Sequence, residues 1–272
     1  MRSSPVTTLS ESRLAAAWRA LRASGRPALI PYLTAGHPDR AASEEAFRVA
    51  DEIADIIEVG VPFSDPLADG PVIQRSTFAA LRQGMTLAGT LELVDRLSLR
   101  KPLVIFSYLN PVLQFGLDRF LAEAERLGIA GLLLTDLPAG GDPAVESRIH
   151  ASSVDLIRLI APTTTPARLA EAVNGAEGFL YLVARLGVTG VSRSLSQDLA
   201  RQVARVRAVT PLPVAVGFGI STAAQAAEAA DLADGVVVGS ALVDILEREG
   251  VAGVRRFLEQ LRAALDGARV AA

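Results

Sequence analysis

Residues 55–71 read DIIEVGVPFSDPLADGP. The first seven, DIIEVGV, are a short apolar, β-branched run of the kind that forms a buried strand, and the proline, serine, aspartate and glycine that follow break it. The same unit recurs along the chain: ALIPYL (28–33), PLVIFSYL (102–109), GLLLTDL (131–137), DLIRLIA (155–161), GFLYLVA (178–184), PVAVGFG (213–219) and GVVVGSA (235–241). With DIIEVGV there are eight. The segments between them, such as AASEEAFRVADEI and GLDRFLAEAERLG, place apolar residues three and four apart, as amphipathic helices require. A last pattern, VAGVRRFLEQLRAALDG, closes the chain, and an extra helix, SESRLAAAWRALRASG, precedes the first strand. Eight strands alternating with helices predict an α/β fold of the (β/α)8 TIM-barrel type with an extra N-terminal helix. An open doubly wound sheet is the alternative; the count of eight and the even strand lengths favour the barrel. No linker or composition shift divides residues 1–272, which read as one barrel domain.

Composition narrows the chemistry. Of 272 residues, half are hydrophobic, enough for a large core, and the net charge of −3 without a basic run speaks against nucleic acid as a partner. There is no cysteine, which removes disulfides, thiolate nucleophiles and Cys-held metals. The N-terminal segment lacks the apolar core of a signal peptide, and no apolar run reaches the length of a membrane span. The expectation is a soluble cytoplasmic protein.

In a barrel of this type, active sites sit at the C-terminal ends of the strands. Side chains alternate along a strand. In DIIEVGV the branched set Ile57, Val59 and Val61 suits the outer helices, so Ile56, Glu58 and Gly60 face the interior and Glu58 lies near the top. An inward carboxylate either pairs with an arginine or has its pKa raised, and the second state suits a group that both gives and takes a proton. Asp69, just before Gly70-Pro71, has the place of a helix cap, and Asp65, in Ser-Asp-Pro, that of a turn residue. Both readings stand beside a catalytic one.

Two glycine-bearing strand ends come late, GFGIST (217–222) and VGSALV (238–243), and a third loop, GVTG (187–190), follows the sixth strand. Barrels frequently bind phosphate on the loops after strands seven and eight, through backbone N–H groups and a helix N-terminus. Gly219 and Gly239 permit close approach, and Ser240 adds a hydroxyl. The ligand expected here is a phosphorylated small molecule.

Scarcity excludes more. Lys101, the only lysine, precedes the third strand at the opposite rim, so a Schiff-base aldolase has no amine. Of the two histidines, His150 lies in or after a helix and His37 is alone after the first strand, too few to hold zinc or to build a triad. Carboxylate acid–base chemistry remains. The strand-end residues Tyr32, Phe106, Tyr108, Leu133, Tyr181 and Phe218 either hold an aromatic group or pack the core.

EVGVPFSDPLADGPVIQ resembles the signature of the tryptophan synthase alpha chain family, and PYLTAGHPD, YLNPV, TDLP, APTT, YLVARLGVTG, VGFGIS and VVVGSALV follow in that family's order, from about Ala28 to Arg262. The resemblance implies a lyase without metal or organic cofactor that cleaves indole-3-glycerol phosphate to indole and glyceraldehyde 3-phosphate. It implies Glu58 and Asp69 as the catalytic carboxylates. Gly190, Gly219, Gly239 and Ser240 become phosphate contacts, Tyr181 the aromatic beside the substrate, and Thr189 the lid residue that closes toward Asp69. It further implies a beta chain that carries pyridoxal phosphate, assembled as an αββα complex, with Pro62, Asp65, Asn110 and Asp136 on loops that meet it. The chain departs from the family after TDLP, where AGGDPAVE replaces a segment that often carries an acidic pair. It departs again in the loop after Tyr181, where Ala184 and Leu186 are more apolar and VSRSLSQ differs. These departures bear on partner coupling more than on the reaction. A different phosphate-binding barrel enzyme, a non-catalytic partner of the beta chain, and a stand-alone lyase remain as alternatives.

Overall fold

The computed structural model describes residues 12–183, 192–217 and 219–267. Eight parallel strands close into a barrel in sequence order. They are β1 (Ala28–Thr34), β2 (Ile57–Gly60), β3 (Leu103–Ser107), β4 (Gly131–Leu134), β5 (Asp155–Ile160), β6 (Leu180–Val183), β7 (Val214–Gly217) and β8 (Gly235–Val238). The pairing of Ala28 to Pro31 with Gly235 to Val238 joins β1 to β8 and rules out the open sheet.

Helices α1 (Arg13–Ser24) and α2 (Arg40–Ile53) flank β1. Two helices each follow β2 and β3: α3 (Pro71–Arg82) with α4 (Leu87–Leu97), and α5 (Leu109–Phe115) with α6 (Leu117–Leu127). Then come α7 (Pro143–His150), α8 (Pro166–Asn174), α9 (Ser192–Arg207), α10 (Ala223–Ala230) and α11 (Ser240–Gly267). At Gly250 the φ of 67° breaks α11, so the closing pattern from Val251 is its second half. The short helix α5 has no counterpart in the sequence reading. Its residues, LNPVLQF, carry a proline and span too few turns to show a period.

The strands alternate as a barrel wall must. Leu29, Ile57, Val59, Ile105 and Leu132 pack outward against the helices. Ile30, Ile56, Val104, Ile157 and Val237 fill the interior. Helix α1 plugs the lower end. Leu14 and Trp18 are buried among the interior residues, and Trp18 meets Phe179 with ring centroids 5.6 Å apart. Gly131 and Gly235 stand at strand starts because the plug needs the space: a Cβ there would come within 2.9 Å of Leu14 and of Trp18 respectively. With the bottom closed, the C-terminal ends of the strands are the open face.

Among the described residues, six helices start at an oxygen-bearing cap. Ser12, Asp39, Thr86, Asp142, Thr165 and Thr222 each accept a backbone N–H from the first turn of the helix that follows. Helix α3 has Gly70 at this position and no side-chain cap. At the start of α11 the Gly239 carbonyl accepts the first helical bond, from Val243 N–H. Both starts therefore leave first-turn N–H groups for some other acceptor.

Candidate active site

Glu58 lies on β2 between Tyr32 of β1 and Val104 of β3 in register. It is fully buried, and neither carboxylate oxygen has a hydrogen-bond partner among the described residues. The arginine pairing weighed from sequence is absent there. Loss of solvent alone pushes its pKa up to about 8, so near neutral pH Glu58 carries its proton.

Asp69 ends the loop after β2. Its side chain does not cap α3; Gly70 holds that position. Burial pushes Asp69 up to about 6, while a hydrogen bond from the Tyr108 hydroxyl pulls the other way. The same hydroxyl accepts the Ala68 N–H at 2.9 Å, which fixes the loop next to Asp69. Tyr108 is raised to about 12, by burial first and then by the charge of Asp69, and stays a donor. Two carboxylates on one face thus hold different charge states between about pH 6 and 8.

Two tyrosines frame them. The Tyr32 ring lies over Gly60, where a Cβ would stand 2.1 Å from the hydroxyl oxygen, and the Tyr181 ring lies over Gly217 in the same way. Tyr32 also meets Phe106 edge-on, with centroids 5.2 Å apart, and accepts a hydrogen bond from Thr34 at 3.3 Å. Burial pushes the pKa of both phenols upward, and the nearby carboxylates push them further.

Glu58, Asp69, Tyr32, Phe106 and Tyr181 line one cavity of about 530 Å³, which reaches Gly219, Gly239 and Ser240 at its far end. Gly219 has a φ of 84°, a left-handed conformation that suits glycine. A second, mainly apolar cavity of about 430 Å³ adjoins it, walled by residues such as Leu134, Leu159 and Ala161. Asp69, Phe106 and Tyr181 line both and so stand where the two meet. A ligand with an aromatic group and an anionic end fits this division.

The structure therefore gathers Tyr32, Glu58, Asp69, Phe106, Tyr181, Gly219, Gly239 and Ser240 at one site. Leu133 is fully buried in the barrel interior and lines neither cavity. Thr189, Gly190 and Phe218 lie outside the described residues, as do Ala184 and Leu186. His37 is buried, away from the cavity lining, with both ring nitrogens unpartnered among the described residues, and His150 meets Glu177 at 3.2 Å beside α7. No cluster of three or more His, Asp or Glu side chains able to hold a metal ion occurs among the described residues. Sequence reading missed Tyr108 as the partner of Asp69, because a strand-end tyrosine reads equally as packing. It also missed Arg75, Asp244 and Arg248, which line the same cavity and whose helical positions read as solvated surface.

A family model described as the tryptophan synthase alpha chain matches residues 18–268. The tryptophan synthase alpha chain of Acidiphilium cryptum is 46% identical over 239 residues, covering 86% of this chain and 87% of that protein. The alpha chain of Chloroflexus aurantiacus is 43% identical over 262 residues, covering 93% and 98%. A solved chain of tryptophan synthase from Mycobacterium tuberculosis superposes with a TM-score of 0.87 at 42% identity, covering 94% of this chain and 99% of that one. Tryptophan synthase subunit alpha from Legionella pneumophila gives 0.86 at 32% identity, covering 95% and 100%.

Proposed function

The chain belongs to the tryptophan synthase alpha chain family, lyases that cleave indole-3-glycerol phosphate to indole and glyceraldehyde 3-phosphate in tryptophan biosynthesis, and we propose that Glu58 and Asp69 carry that reaction here. The observation behind this reading is the split between the two carboxylates. Glu58 is buried, without a hydrogen-bond partner among the described residues and protonated near neutral pH, while Asp69 is ionised on the same cavity.

The bond to be broken joins indole C3 to the glycerol chain. Glu58 gives its proton to C3, which makes C3 tetrahedral and leaves positive charge on the ring nitrogen. Asp69 accepts a hydrogen bond from the ring N–H and balances that charge; in a site shielded from water a fixed carboxylate is most effective. The carboxylate left on Glu58 then takes the proton of the hydroxyl on the adjacent carbon. The carbon–carbon bond breaks, its electrons return to the indole ring, and the released chain ends as the aldehyde. Glu58 finishes protonated, as it began.

The substrate spans the two cavities. The indole is held by Phe106, Tyr181 and Tyr32, with Leu133 in the packing beneath. The phosphate takes the end formed by Gly219, Gly239 and Ser240, where α11 offers uncapped N–H groups.

The family works with a beta chain. The partner surface proposed here is formed by the loop after β2, helix α5 and the loop after β4. Leu67 is 92% exposed and Leu113 is also exposed, beside Asp65, Asn110 and Asp136, while Asp136 accepts the Leu109 N–H at 2.7 Å and ties β4 to α5. Exposed apolar side chains rimmed by polar ones suit such an interface. An αββα assembly follows, in the cytoplasm, where phosphorylated substrates are retained by their charge. Indole release from indole-3-glycerol phosphate, with and without a cognate beta chain, tests the reading. Slow release that the partner stimulates supports it. No release in either condition overturns the reaction.

A further inference from the structure

Among the described residues, five acid and base side chains line the larger cavity: Glu58, Asp69, Asp244, Arg75 and Arg248. Near neutral pH the protonated Glu58 leaves, among these described side chains, two negative charges, Asp69 and Asp244, against two positive ones. Without the arginines the walls would repel a phosphate ester, which itself carries close to two negative charges.

The arginines are placed together. Asp244 and Arg248 follow Ser240 on α11 at intervals of four residues, so the three share one face of the helix. Side chains on a helix lean toward its N-terminus, which here is the phosphate end of the cavity. Arg75 comes from the neighbouring α3. It approaches Asp244 at 3.6 Å and Glu247 at 4.0 Å, and Arg248 Nε reaches the other oxygen of Asp244 at 3.2 Å. Asp244 thus holds two guanidinium groups at the cavity wall.

We propose that Arg75 and Arg248 receive the substrate phosphate, and that Asp244 is the anion that holds them in place until the phosphate replaces it. This rests on the reading of Gly219, Gly239 and Ser240 as the phosphate end. The backbone N–H groups there supply geometry but no net charge; the arginines supply the charge. Arg75 and Arg248 are 53% and 72% exposed, so solvent screens them and each effect is modest.

The proposal makes opposite predictions for neighbouring residues. Arg75→Gln and Arg248→Gln each raise KM for indole-3-glycerol phosphate about threefold with kcat held within about twofold, and the double variant raises it about tenfold. Asp244→Asn lowers KM, because the guanidinium groups lose their internal competitor. The rise of KM with added salt is shallower in the double variant than in the wild type. Thermal melts show that each variant is folded. An unchanged KM in all three single variants overturns the proposal. So does a raised KM in Asp244→Asn, since the cluster would then be only structural. If wild-type protein failed to turn over the substrate, the assigned reaction would fall by itself. Calorimetric binding of glycerol 3-phosphate to the same variants would still decide the role of the arginines.

Discussion

The Tyr108 hydroxyl hydrogen-bonds the Asp69 carboxylate, bringing the end of β3 to the loop after β2. It also accepts the Ala68 N–H, so one oxygen both places the loop and favours the ionised form of Asp69. Tyr108→Phe removes both bonds. Without the donor the Asp69 pKa rises above its present value of about 6, and the acid limb of kcat/KM moves to higher pH by about one unit. A pH–rate profile of the variant checks this.

In the wild type, kcat/KM is expected to follow a bell. Asp69 must be ionised, so activity falls as pH drops through about 6; Glu58 must be protonated, so activity falls as pH rises through about 8. A phosphate ester also titrates near pH 6. Tyr108→Phe separates the two, because the substrate's own ionisation stays where it is. An alkaline limb that does not move when Glu58 is replaced would contradict the assignment.

The tyrosine wall depends on Gly60 and Gly217. Alanine at either position would put a methyl carbon 2.1 Å from a tyrosine hydroxyl oxygen and displace Tyr32 or Tyr181 from the cavity. Gly60→Ala and Gly217→Ala are expected to cost about 1–3 kcal/mol of stability and to raise KM. Thermal melts and substrate titrations check both effects.

Much of this was legible in the chain. Eight branched runs gave the barrel because parallel strands buried on both faces are apolar throughout, and the period of two placed Glu58 inward while Ile57 and Val59 faced the helices. Strand ends were less legible. PLVIFSYL reads as one run, yet β3 stops at Ser107, Tyr108 is the N-cap of α5 and Leu109 is already helical. The apolar pattern continues there because the cap residue Tyr108 is itself buried. Asp69 was ambiguous for a related reason: an aspartate before Gly-Pro suits a cap, and only the backbone shows that Gly70 takes that position. Arg75, Asp244 and Arg248 gave no sign, since a charged helix face looks the same whether it borders water or a cavity.

Glu58 also bears on stability. The folded protein keeps its proton to about pH 8, whereas an unperturbed glutamate releases it near 4.5. Between these values the unfolded chain binds fewer protons, so the stability contribution of Glu58 falls as pH rises and is lowest above 8. Glu58→Gln removes that slope. The variant is expected to match the wild type near pH 4.5 and to exceed it by on the order of 2–4 kcal/mol at pH 8. Denaturant unfolding at the two pH values measures this, and a variant that is less stable at pH 8 would count against an unpartnered buried carboxyl.

The proton shuttle itself is tested most directly by the rate of indole release from indole-3-glycerol phosphate by Glu58→Gln, at pH 7 and saturating substrate, beside folded wild-type protein. An amide neither gives nor takes the proton, and turnover is expected to fall at least about a hundredfold with KM little changed. Turnover within a few-fold of the wild type would show that Glu58 does not carry the proton.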